Sequence, residues 1–92
     1  MHLPPSGVSL HTLISRGLLR PGVTLHWTRP QSGETHTAFL LADGTLALID
    51  GTRHTTPSGA ASHVVGRPEN GWDVWKTANG KPISTLRYGL AV

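Results

Sequence analysis

The sequence predicts an α+β domain in which a small antiparallel β-meander of three to five strands packs with two or three short helices. Two segments each have helix start and stop signals, Ser9 with Gly17 and Thr56-Pro57 with Gly66, and Asp-Gly turns separate the predicted strands between them. The 92 residues are 37% apolar and 14% charged, which is the composition of one folded domain. We expect that domain at residues 8–88, after a loose lead-in at 1–7 and before a short tail at 89–92.

The first helix is predicted to begin after Ser9 and to stop at Gly17, because three apolar residues between them share one helical face: Leu10, Leu13 and Ile14. After the Pro21-Gly22 turn, residues 23–27 alternate between apolar and polar, which is typical of a strand. Leu18, Leu19 and Trp27 form a candidate apolar surface patch in this part of the chain.

Residues 35–41 and 45–49 are predicted to pair as a hairpin around Asp43-Gly44. Asp50-Gly51 predicts a second turn, after which residues 52–55 run back as a short antiparallel segment. The second helix is expected from Ser58 to Val65, since Thr56 is a good cap and Pro57 is favoured at the first helical position. Gly66 closes it.

Trp72–Lys76 is predicted to be a strand by its aromatic and β-branched content. If this segment is extended, Trp72 and Trp75 point to opposite faces, so that one indole faces away from the core. The alternative is that both tryptophans are packed inside. Residues 83–87 end the domain as a short helix or strand.

The residue pattern offers no chemistry for an enzyme. Cysteine is absent, and the six histidines lie nine or more positions apart, so neither a thiolate nor a paired-histidine metal site is expected. No nucleophile or phosphate-loop motif is present. We therefore expect no catalysis, metal or cofactor. We also expect no signal peptide or membrane span, and a cytoplasmic, nucleoid-associated protein.

The net charge of +3 comes entirely from the second half of the chain. Residues 1–50 hold three arginines and three carboxylates, whereas residues 51–92 hold five cations and two carboxylates. A surface for a polyanion would therefore lie in the second half. The small residues of Thr56–Ala61 fit either close packing of a helix on the sheet or close approach of a phosphate to the helix start.

One combination of motifs resembles a known family. Thr-Pro-Ser-x-Ala-Ala at 56–61 is followed by Asn-Gly-Trp-x-x-Trp at 70–75 and Leu-Arg at 86–87. Upstream come Gly-Leu-Leu-Arg-Pro-Gly at 17–22 and an Asp-Gly hairpin. This set resembles the RAMA domain, whose name stands for restriction enzyme adenine methylase associated, over residues 8–87. Val74 departs from the pattern, since a bulkier residue often precedes the second tryptophan.

The resemblance implies a module that binds double-stranded DNA and reads modified bases such as N6-methyladenine. It assigns DNA contact to four matching positions: Ser58, Asn70, Trp72 and Arg87. Arg67 and Lys76, which belong to the basic second half, complete the predicted set. A methyltransferase or nuclease partner and a homodimer are further expectations. The alternative function is a protein-interaction module that recruits a partner enzyme.

Overall fold

The computed structural model describes the backbone of residues 9–89 and the side chains of residues 9–86. The predicted lead-in at 1–7, residue 8 and residues 90–92 of the predicted tail lie outside the described residues. Four strands and four short helices follow one another along the described chain: α1 (Leu10–Ser15), β1 (Thr24–Thr28), β2 (Thr35–Leu40), β3 (Leu46–Leu48), β4 (Arg53–His54), α2 (Pro57–Val65), α3 (Gly71–Val74) and α4 (Ser84–Gly89).

The strands form one antiparallel sheet in the order β1-β2-β3-β4, so the predicted α+β meander is confirmed. Asp43 and Asp50 build the two predicted turns in the same way. Each carboxylate accepts hydrogen bonds from the backbone N–H and the hydroxyl of the threonine two residues later. The following glycines adopt positive φ, 85° at Gly44 and 87° at Gly51, which other residues adopt only with strain.

The core lies between one face of the sheet and the helices. Alternate strand residues point inward, and α1 and α2 contribute their small or aliphatic side chains. The largest fully buried side chains are Trp75, Leu10, Leu13, Leu25, Leu40, Leu46 and Ile83. The opposite sheet face exposes Phe39 and, just beyond β3, Ile49.

The predicted apolar patch is wrong at two of three positions, because Leu19 and Trp27 are buried and only Leu18 is exposed.

Both predicted helix starts are confirmed. Ser9 caps α1 by accepting a hydrogen bond from Thr12 N, and Thr56 caps α2 by accepting one from Gly59 N. Gly66 ends α2 in the left-handed region with φ 72°. No helix in the described part of the chain is long and apolar enough to cross a membrane.

The predicted strand at Trp72–Lys76 is wrong for most of its length. Residues Gly71–Val74 form a single helical turn, α3, and only Lys76 pairs with the sheet, through an isolated antiparallel bridge to His26. The local preference of tryptophan and valine for strands is overridden because Asn70 caps the turn. The last segment, left open between helix and strand, is the helix α4.

Candidate nucleic-acid interface

Four of the six residues predicted to contact DNA lie on α2, on α3 or in the segment that joins them. α2 begins with Thr56 extended at φ −133° and ψ 151°, and the Thr56 hydroxyl accepts the Gly59 N–H at 2.9 Å. Pro57 occupies the first helical position, where its missing N–H costs nothing. Ser58 therefore stands in the first turn of a nine-residue helix, close to the positive end of the helix dipole.

The start of α3 is locked onto the start of α2 through Gly71. The Gly71 N–H donates to the Ser58 hydroxyl oxygen at 3.0 Å. A Cβ at Gly71 would lie 2.0 Å from the Pro57 carbonyl and 2.5 Å from Ser58 N, which only glycine can avoid. The two helix starts therefore form one rigid unit, which we call the α2–α3 junction: Pro57, Ser58, Asn70 and Gly71.

Asn70 caps α3 and remains exposed. The Asn70 side-chain oxygen accepts the Trp72 N–H at 3.2 Å, and its amide group donates to the Asp73 carboxylate at 2.8 Å. One amide N–H of Asn70 is therefore left for another acceptor. The Ser58 hydroxyl accepts from Gly71, so its own hydrogen can also be donated outward. The junction thus offers two donors at one place, the rotatable Ser58 hydroxyl and one amide N–H of Asn70.

Both tryptophans of the Asn-Gly-Trp-x-x-Trp motif are packed inside, so the prediction that one indole faces outward is wrong. Trp72 is 8% exposed and Trp75 is fully buried. The Trp75 indole N–H donates to the Pro57 carbonyl at 3.1 Å, and its ring meets Trp27 edge-on at 5.7 Å between centroids. The prediction of an outward indole assumed an extended segment, in which side chains alternate between two faces, and this segment forms a helical turn instead. In this structure Trp72 is part of the hydrophobic core.

Arg67 lies in the loop that joins α2 to α3, with a side chain that is 65% exposed. Its guanidinium is 3.9 Å from the Glu69 carboxylate, a surface pair that contributes little and can be displaced. Arg67 lines a groove of about 320 Å³ together with Arg29 and Val74. Arg29 belongs to the β1–β2 loop, and sequence reasoning did not find it because no local signal links positions so far apart.

Lys76 does not join this group. The backbone of Lys76 exchanges two hydrogen bonds with His26, at 2.8 and 2.9 Å, and directly opposed residues of an antiparallel pair share a face. His26 is exposed between the buried Leu25 and Trp27, so Lys76 lies on the outer face of the sheet, away from the helices. Arg87 falls in α4, but its side chain lies outside those that the structure describes.

A cluster of polar side chains ties the second half of α2 to the β3–β4 turn. His63 contacts the Asp50 carboxylate at 2.7 Å, and its ring centroid lies 4.9 Å from that of His54 with the planes tilted by 42°. The hydrogen bonds from the Thr52 hydroxyl and backbone N–H, followed by the one from His63, hold the pKa of Asp50 well below its usual value. Burial, followed by the charge of His63, lowers the pKa of His54. Within residues 9–86, no three metal-ligating side chains converge on a common point.

The sequence model of the family described as "RAMA: Restriction Enzyme Adenine Methylase Associated" matches residues 2–91. No curated protein matches the chain. The family match spans nearly the whole sequence, including the junction and the hairpins, and it confirms the resemblance inferred from the motifs. The chain therefore belongs to the RAMA family, whose name associates it with the adenine methylases of restriction systems.

Proposed function

We propose that this RAMA domain binds double-stranded DNA through the α2–α3 junction and the neighbouring Arg67, and that it leaves chemistry to a partner enzyme. The observation that carries the proposal is the hydrogen bond from Gly71 N–H to the Ser58 hydroxyl. It brings Ser58 and Asn70, two positions that the family resemblance assigns to DNA contact, to one place on the fold.

The chemistry of the junction supports this proposal. A serine hydroxyl in the first turn of a helix and an exposed asparagine amide are groups that donate to phosphate oxygens and base edges. The small residues Gly59, Ala60 and Ala61 serve packing, since both alanines are fully buried against the sheet. They place no bulk beside Ser58, so the packing and phosphate explanations of this segment are compatible.

The proposal extends to reading adenine modification in restriction-modification or chromosome-associated processes. Asparagine reads adenine by accepting from N6–H and donating to N7. Asn70 is exposed at the junction, and its remaining amide N–H can donate to N7, beside the N6 group. A methyl group on N6 changes that edge directly. The family name supports a methyltransferase as partner. Two copies of the domain on one duplex would double these contacts.

Fluorescence anisotropy with matched duplexes, unmodified or carrying N6-methyladenine, tests both parts. We expect salt-dependent binding in the micromolar range or tighter, with different affinities for the two duplexes. Ser58→Ala and Asn70→Ser should each weaken binding by roughly fivefold to tenfold, the loss of one hydrogen bond that contributes about 1–1.4 kcal/mol. Serine keeps the helix cap at position 70, so this variant separates contact from folding.

Ser9→Ala is the matched control, because it removes the cap of α1 and lowers stability by about 1 kcal/mol without touching the junction. Its DNA affinity should equal that of the wild type. If the domain binds neither duplex, or if Ser9→Ala weakens binding as much as Asn70→Ser does, the proposed interface is wrong. Equal affinity for both duplexes would remove only the reading of the modification.

A further inference from the structure

A groove of about 440 Å³ lies between the α1–β1 connection, the turn at residues 77–81 and α4. It shares no residue with the α2–α3 junction. Its apolar lining includes Leu18, Leu19, Val23 and Leu86. Leu18 is 40% exposed there, although the rest of α1 and its connection bury their leucines. An aliphatic side chain kept open inside a concave surface is typical of a binding groove.

Two exposed cations, Arg20 and Lys81, also line this groove. None of the five carboxylates in the sequence lines it. Each has a partner elsewhere in the described structure: Glu34 with His36, Asp43 with Thr45, Asp50 with His63, Glu69 with Arg67, and Asp73 with Asn70. Among side chains 9–86, neither Arg20 nor Lys81 forms an ion pair. The groove therefore combines an apolar lining with uncompensated positive charge.

We propose that this groove docks a segment of a partner protein in which aliphatic side chains alternate with carboxylates. The aliphatic groups would cover Leu18 and its neighbours, and the carboxylates would meet Arg20 and Lys81. A nucleic acid fits the groove less well. Single strands bind on aromatic platforms, and the described lining of this groove contains no aromatic side chain. The domain would then hold DNA at the junction and its partner enzyme in the groove.

The probe is a fluorescein-labelled peptide in which leucines alternate with glutamates, titrated with the full chain. A second peptide has lysine in place of every glutamate. We expect the glutamate peptide to bind in the micromolar range and the lysine peptide at least tenfold more weakly. Leu18→Glu should weaken binding of the glutamate peptide at least tenfold, because it places a carboxylate in the apolar lining.

Ile49→Glu is the matched control. It also replaces an exposed aliphatic side chain with glutamate, but Ile49 is 78% exposed and lies in the β3–β4 turn, outside the groove. Its affinity for the glutamate peptide should match that of the wild type. Thermal melting of both variants checks that they fold. An equal effect of the two substitutions would overturn the proposal, since binding would then reflect general apolar or charge attraction.

Charge reversal supplies an independent test. The double variant Arg20→Glu with Lys81→Glu should lose the glutamate peptide and gain the lysine peptide, each by roughly tenfold. A failure of this exchange would overturn the assignment of the two cations. Leu18→Glu should leave duplex affinity unchanged. If it weakens duplex binding as much as peptide binding, the groove is a nucleic-acid surface and the partner proposal is wrong, whatever happens at the junction.

Discussion

Gly71 is the residue on which the candidate interface depends most directly. A methyl group at this position would lie 2.0 Å from the Pro57 carbonyl carbon and oxygen, and these backbone atoms cannot rotate away. Relief requires α3 to move off α2. That movement would break the bond from Gly71 N–H to the Ser58 hydroxyl and the bond from the Trp75 indole to the Pro57 carbonyl.

We predict that Gly71→Ala lowers the free energy of unfolding by about 3–5 kcal/mol. Overpacking costs about 1–3 kcal/mol, and each of the two broken hydrogen bonds contributes about 1 kcal/mol. A domain of this length has a total stability of roughly 5–14 kcal/mol, so the variant should be marginal. Urea unfolding followed by tryptophan fluorescence and by circular dichroism measures the change.

Gly59→Ala is the control for this prediction. A Cβ there would lie 3.0 Å from the Thr56 hydroxyl, a side-chain atom that can give way. The gain in helix propensity and the disturbed cap each amount to about 1 kcal/mol and oppose one another. We expect a change of stability below about 1 kcal/mol. A Gly71→Ala variant that melts within about 4 °C of the wild type would refute the described junction.

Two further predictions concern the burial of Trp72 and the dependence of stability on pH. Trp72→Ala should lower the free energy of unfolding by about 3–5 kcal/mol, because the indole is packed in the core. Trp72→Phe should keep the fold. A Trp72→Ala variant as stable as the wild type in urea would contradict the burial of this indole. The pKa of the folded-state His54 lies below its usual 6.5. The unfolded chain therefore binds a proton at His54 more readily than the folded chain does. As a result, the free energy of unfolding falls as the pH drops through and below about 6.5. The urea midpoints at pH about 7 and pH about 5 should differ less in His54→Gln than in the wild type. An equal difference in both proteins would assign the pH dependence of stability to other groups.

The parts of the fold that sequence could predict are those built from neighbouring residues. Asp43-Gly44 makes its turn through hydrogen bonds that reach two positions along the chain. Ser9 and Thr56 cap helices through contacts three positions away. Such short-range chemistry is visible in the order of the residues, which is why the sequence locates α1, α2 and the hairpins to within a few residues.

The failures occurred where a distant residue decides the local structure. Trp72–Lys76 has the composition of a strand, but its first part folds as a helical turn that Asn70 caps and that Gly71 docks thirteen positions back on Ser58. The burial of both indoles follows from that docking. The grouping of Arg29 with Arg67 depends on the β1–β2 loop reaching the loop after α2, a proximity that no spacing in the sequence encodes.

The fold also changes what the positive charge of the second half can do. If all five of its cations met phosphates, the logarithm of the dissociation constant would vary with the logarithm of salt concentration with a slope of about 4.5. The structure divides these cations among different surfaces: Arg53, opposite Ala47, and Lys76 lie on the outer sheet face, and Lys81 lines the groove. Under the proposed function, Arg67 and Arg29, with Arg87 from the family resemblance, would make about three phosphate contacts and give a slope of about 2.7. Arg67→Gln should lower the slope by about 1, and Lys76→Gln should leave it unchanged. A slope near 4.5, or an equal loss in both variants, would mean that DNA contacts the sheet face as well as the junction.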